Sequence, residues 1–322
     1  MKSVLLAILT LATVFLLGCQ EKSSGVSSAQ AGNSEEMNAD TKLIDVIHRK
    51  EFAPFRHLLI SQGVKTLSAD DRIRDLQKFY IWHTHLSDAT TLDVLNELSA
   101  RAKSSEKIFY EIYDDDRKLE TGLFFFRGKK DAPFAVINAG GGFAYVGLLH
   151  ESLPHALYLS RRGYNAFALQ YRTGGAQVAC EDLAAALSFI FRHADELGVD
   201  TKNYSLWGGS AGARMAAYLG SYGSENFGGD KLPRPGAVIM QYTGHSDWTR
   251  EDPPTFVCVG ELDGIASWRT MKNRVDTLAN FGIATEFHKY PNLGHGFGLG
   301  LGTCADGWID SAISFWERIR HD

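Results

Sequence analysis

Three segments of this 322-residue chain carry side chains whose types and order could do covalent chemistry: Gly208-Gly209-Ser210-Ala211-Gly212, then Asp263, then Gly294-His295-Gly296. The first fits G-x-S-x-G, a tight turn that lifts a serine hydroxyl above a parallel sheet between a strand and a helix. Serine is a weak nucleophile at its ordinary pKa. It needs a histidine base within hydrogen-bond reach and an acid that orients the histidine. Ser210, His295 and Asp263 are the candidates for these roles. Glu261 stands two residues before Asp263 as an alternative acid, and His245 follows a strand-like run as an alternative base. His245 precedes Asp263, against the order serine, acid, histidine, so it is read as a substrate-side or structural residue.

A second feature supplies the electrostatics. Gly140-Gly141-Gly142-Phe143 follows an apolar run, and a side-chain-free backbone there can approach a carbonyl oxygen. The amide of Gly141 or Gly142, with that of Ala211 directly after the serine, would bind the oxyanion. Neither G-x-G-x-x-G nor a P-loop is present, so phosphate cradling is not expected. Phe143, Tyr145, Tyr242, Trp248 and Trp268 flank these segments and are weighed as a substrate platform against ordinary core or rim packing. His83-Thr84-His85 with Asp88 lacks the further ligands that a metal site needs, so no metal or other cofactor is expected.

The elements around these residues read as α/β. Strands are expected at 134–138, 165–171, 204–207, 237–242, 255–259 and 285–290, alternating with helices near 150–161, 179–196, 211–221, 267–281 and 306–320. That alternation signals a mostly parallel sheet with helices on both faces. An antiparallel hairpin, 107–113 with 121–127, precedes it across the acidic turn Asp114-Asp115-Asp116. In open α/β sheets ligands bind beyond the carboxyl ends of the strands, where Ser210, the glycine loop, Asp263 and His295 would all gather. Residues 41–105 read as a small helical region packing on the 106–322 domain, with a cap at Ser68-Ala69-Asp70-Asp71 and a second helix from Asp88.

Composition is that of a globular protein, with 44% hydrophobic and 22% charged residues and a net charge of −5. No Lys/Arg cluster marks a nucleic-acid footprint. Lys2 and the apolar run 4–17 form a leader too short to span a bilayer comfortably. Its end, Leu16-Leu17-Gly18-Cys19, resembles the bacterial lipobox, which implies a signal peptide over 1–18, lipid on Cys19 and a flexible tether over 19–40. Gln20 after that cysteine then implies the outer membrane of a two-membrane bacterium. Cys180, Cys258 and Cys304 allow at most one internal disulfide.

Together, residues 208–212, the 140–143 loop, Asp263 and residues 294–298 resemble the α/β-hydrolase serine esterases, in particular the small bacterial acetylxylan- and feruloyl-esterase-like group. The resemblance covers about 106–320, and it departs where Asn138-Ala139 stands in place of the His-Gly of many relatives. It implies a carboxylic ester hydrolase for short acyl groups, acting through an acyl-enzyme on a small-molecule or polysaccharide ester. The stretch between strands 237–242 and 255–259 is too short for the large lid of many lipases. A peptidase of the prolyl-oligopeptidase type, or a surface lipoprotein that binds through an inactive hydrolase scaffold, are the alternatives.

Overall fold

Apolar runs between polar turns become strands where both of their faces can be covered. The computed structural model describes residues 36–60 and 66–321, so the 1–18 leader, Cys19 and most of the 19–40 tether lie outside the described residues. Among the described residues eight strands are formed: β1 (Phe109–Tyr110), β2 (Gly122–Phe126), β3 (Ala132–Asn138), β4 (Asn165–Gln170), β5 (Val199–Gly209), β6 (Ala237–Gln241), β7 (Thr255–Gly260) and β8 (Thr285–Tyr290). They make one sheet in the order β1-β2-β4-β3-β5-β6-β7-β8. The β1/β2 and β2/β4 pairs are antiparallel, and every pair from β4 to β8 is parallel. β4, β6 and β7 are buried throughout, which is why they read as continuous apolar runs.

The helices are α1 (Leu43–Ile47), α2 (Arg56–Leu59), α3 (Asp88–Lys103), α4 (Ser152–Arg161), α5 (Ala176–Arg192), α6 (Ala194–Leu197), α7 (Ala211–Tyr222), α8 (Trp268–Asn280) and α9 (Trp308–His321). α5 packs with α7, and α4 meets α9 where His155 stands edge-on to Trp308, their rings 5.5 Å apart. Among the described residues no helix is long and apolar enough to cross a membrane. Cys180, Cys258 and Cys304 are free thiols, the first two buried.

Three expectations need correction. Residues from Ile73 form a six-residue 3-10 helix, Ile73–Lys78, and not an α-helix. Ile73, Leu76 and Phe79 are all buried at three-residue spacing, which a three-residue turn serves and a 3.6-residue turn would spread. The strand expected at 204–207 extends over eleven residues, because its polar first half, Asp200 to Asn203, continues the strand whose start pairs with Ala132 and Pro133 ahead of a register shift. The expected helix at 179–196 starts earlier, at Ala176, and divides at His193 into α5 and α6.

Glu36–Asp322 is a single compact unit, so residues 41–105 share one body with the sheet. α3 starts at a Ser87 cap that accepts from Thr90 N at 3.3 Å. It is tied to α4 where Arg161 donates to both oxygens of Asp93 at 2.5 and 2.8 Å.

β3 sits where the strand order reverses, with β4 on one side and β5 on the other. Loops leaving β3 and β5 diverge there and open a crevice. α7 comes unusually close to the end of β3. A Cβ on Gly212 would stand 2.0 Å from the Asn138 carbonyl oxygen. Gly212→Ala is therefore expected to lose about 3 kcal/mol of stability, read as a lower urea midpoint with an unchanged slope.

Candidate active site

Ser210 joins β5 to α7 with φ +51° and ψ −112°, a conformation that side chains rarely adopt. The turn closes because Gly208 and Gly212 lie against each other. A Cβ on Gly208 would meet the Gly212 backbone at 2.3 Å. His295, in the loop after β8, brings Nε2 to 3.0 Å from Ser210 Oγ. Its Nδ1 donates to Asp263 Oδ2 at 2.8 Å. The other Asp263 oxygen accepts from Ile265 N at 2.8 Å and Ala266 N at 2.7 Å, so the buried carboxylate is held from two sides. Glu261 points elsewhere and pairs with Lys289. Asp263, not Glu261, is thus the acid facing the histidine.

Ser210 opens onto a cleft of about 200 Å³ whose walls include Gly142, Phe143, Ala211, Arg214, Thr243 and Ile265. Gly142 and Ala211 border it beside Ser210. Ala211 is the first residue of α7, where an amide has no acceptor within its own helix. Gly141 turns the loop: at φ +133° its carbonyl accepts from Ala144 N and Tyr145 N at 2.9 and 3.2 Å.

Of the aromatic residues weighed as a platform, only Phe143 lines the cleft. Tyr145 is buried beneath Trp82, the two rings stacked 5.4 Å apart. Tyr242 is fully buried and lies 4.9 Å behind the His295 ring. Trp248 stacks on Phe281 at 4.9 Å, and Trp268 lies under Arg269 and Lys289. Tyr145 and Tyr242 are therefore packing residues, since burying a flat apolar ring outweighed presenting it to a ligand, and half-buried Trp248 packs on Phe281 and does not line the cleft. His245 is buried against Tyr218 and does not reach the serine–histidine pair.

A buried hub lies beneath the site, and sequence reasoning missed it. Glu151, fully buried one residue before α4, accepts from the amide of Gly140 at the root of the glycine loop. Its Oε1 accepts from Tyr242 O–H at 2.8 Å and from His83 Nε2 at 2.9 Å. Burial alone would raise its pKa. The adjacent His83 and these donors reverse that and hold the carboxyl below its ordinary range, so it is ionised. Tyr242 O–H in turn accepts from Gly298 N at 3.2 Å. Thr84 completes the frame: its hydroxyl donates to the His295 carbonyl at 2.6 Å and its amide to Gly296 O at 2.9 Å. Glu151 carries no motif, standing in Leu148-Leu149-His150-Glu151-Ser152-Leu153 at the start of the helix expected near 150–161. His83 drew notice as half of a poor metal pair.

The BD-FAE family model matches residues 127–236, a stretch that includes the glycine loop and Ser210 but ends before Asp263 and His295. No curated protein matches the chain. Among solved structures, MGS-M1, an α/β-hydrolase enzyme from a Medee basin deep-sea metagenome library, superposes with a TM-score of 0.58 at 22% identity, covering 66% of this chain and 97% of that one. An acetyl ester-xyloside bifunctional hydrolase from Caldicellulosiruptor lactoaceticus gives 0.58 at 19% identity, covering 66% and 96%. Esterase 2 of Thermogutta terrifontis gives 0.56 at 19%, covering 66% and 91%. The chain has the α/β-hydrolase fold.

Glu151→Gln removes the charge but keeps the shape, leaving His83 without its anion. It is expected to lose about 3 kcal/mol in urea denaturation. Acid should also unfold the protein progressively. His150 and His245 have their pKa pushed from 6.5 down to about 3, first by burial and then by neighbouring His83 or arginines. Between those values the unfolded chain binds protons that the folded chain refuses, so stability is full above pH 6.5 and falls as pH drops towards 3. The expected slope is about 1.4 kcal/mol per pH unit for each histidine, measured as urea midpoints across that range.

Proposed function

We propose that this protein is a serine-dependent carboxylic ester hydrolase for short acyl groups. The observation that carries the reading is the continuous chain of hydrogen bonds Ser210–His295–Asp263, at 3.0 and 2.8 Å, opening into a small cleft. Ser210 Oγ attacks the ester carbonyl as His295 Nε2 takes its proton. Asp263 keeps the imidazole oriented and stabilises the imidazolium. The amides of Ala211 and Gly142 face the oxygen on which negative charge develops. His295 then returns the proton to the departing alcohol, and a water resolves the acyl-enzyme by the same route.

Substrate size is argued from the cleft. About 200 Å³ is less than a drug-sized site offers, and residues 242–254 between β6 and β7 leave no room for a large lid. Both favour acetyl or similarly short esters over long-chain lipids. The likeness to an acetyl ester-xyloside hydrolase favours a carbohydrate ester as the alcohol part. The leader and Cys19 support lipid anchoring at the cell envelope, probed by incorporation of labelled palmitate into the full chain but not into Cys19→Ala.

The test is covalent labelling with a fluorophosphonate, read by intact mass. One adduct is expected on the wild type and none on Ser210→Ala. Hydrolysis of p-nitrophenyl acetate should fall by at least about 10³-fold in Ser210→Ala and in His295→Ala. A folded wild type that takes no adduct would reject this reading in favour of a binding protein on a hydrolase scaffold.

A further inference from the structure

We propose that Arg214 makes this cleft selective for esters that carry a carboxylate close to the scissile bond. The proposal rests on the hydrolase reading above. Arg214 stands one helical turn after Ser210, its amide donating to Ser210 O at 3.2 Å. Its side chain is half-buried and lines the same cleft as Ser210, Gly142 and Ala211.

Among the described residues, no carboxylate forms an ion pair with this guanidinium and no group accepts a hydrogen bond from it. Other enclosed arginines are matched. Arg172 holds Asp182 at 2.7 Å, and buried Arg274 pairs with buried Asp252. The carboxylates of the surrounding loops are already committed: Asp247 accepts from Tyr222 O–H at 2.6 Å, Asp252 serves Arg274, and Asp263 serves His295. The charge of Arg214 does reach the loop after β6, where it adds to burial and Arg274 in disfavouring a proton on His245. The chain as a whole is acidic, at −5, so this cation does not belong to a general basic surface.

A guanidinium left unpaired beside a nucleophile is a ready donor fork for a carboxylate, which it can bind through two parallel, charge-assisted hydrogen bonds. The other cleft residues, Phe143, Thr243, Gly244, Ile265 and Ala266, bring no competing acid. The small volume puts the carboxylate within a few bonds of the carbonyl that Ser210 would attack. Two sources share this chemistry: the half-ester of a small dicarboxylic acid, and an acyl ester of a hydroxy acid such as a uronic acid. In either, hydrolysis breaks the acyl–oxygen bond, water supplying OH to the acyl group and H to the alcohol.

The experiment compares kcat/KM for matched anionic and neutral esters with wild type, Arg214→Gln and Arg214→Lys. One arm pairs p-nitrophenyl hemisuccinate with p-nitrophenyl pentanoate, and the other pairs 4-acetoxybenzoate with 4-acetoxybenzamide. The wild type is expected to favour the anionic ester in one arm, which identifies whether the acyl or the alcohol part bears the charge. That ratio should fall by about 10- to 100-fold in Arg214→Gln, the worth of a charge-assisted bond, and recover in part in Arg214→Lys. On the wild type alone, free succinate or 4-hydroxybenzoate should compete with the neutral ester where the corresponding amide does not, which decides the matter even if the variants fold poorly. Neutral esters hydrolysed as well as anionic ones in both arms, with Ser210 labelled, would overturn the role of Arg214 and leave the hydrolase reading intact. No turnover in either arm and no Ser210 adduct would remove both.

Discussion

A carboxylate without access to water must be fully paired, and Glu151 is the place where this chain meets that demand. Its oxygens draw together three segments distant in sequence: the glycine loop through Gly140, the β6 end through Tyr242, and the N-terminal segment through His83. Each partner also touches the site. Gly140 opens the loop that borders the cleft, Tyr242 backs the His295 ring, and Thr84, next to His83, holds the His295 carbonyl. Breaking such a buried pair leaves an uncompensated charge, so the cost of losing any partner exceeds the value of one ordinary hydrogen bond. The geometry above the hub inherits this rigidity.

The same arrangement explains why residues 41–105 belong to the site. Trp82 covers Gly142 so closely that a Cβ there would stand 2.7 Å from its ring, and Gly296 lies against the backbone of Trp82 and His83. The segment therefore forms one wall of the loops that carry the glycines and the histidine. A chain lacking it would leave Glu151 and the His295 loop each short of a partner.

Three residues where the chemistry is proposed hold strained backbone. Ser210, Phe143 and Tyr242 all hold positive φ, and each follows the carboxyl end of a parallel strand at or behind the cleft. Such conformations cost about 1–3 kcal/mol each and persist where the surroundings over-determine them. Here the surroundings are the buried strands β3, β5 and β6 and the hub below them.

Much of this was legible in the residues themselves. The parallel strands are apolar runs of the right length between turn residues, so β3 to β8 could be read to within a few positions, except where the polar start of β5 hid its extension. The elbow glycines, the glycine loop after β3 and the serine, acid and histidine candidates are local patterns, because the conformations they need restrict residue type at each position. What local pattern cannot express is partnership between distant residues. Asp263 and Glu261 look alike two positions apart, and only the turn that gives one to His295 and the other to Lys289 separates them. An aromatic residue near a motif can face either the ligand or the core, and burial turned Tyr145 and Tyr242 inward. Glu151, His83 and Thr84 carry no motif at all. Their roles arise because desolvation forces buried polar groups to find one another across the fold, a condition that exists only once the tertiary structure has removed the water.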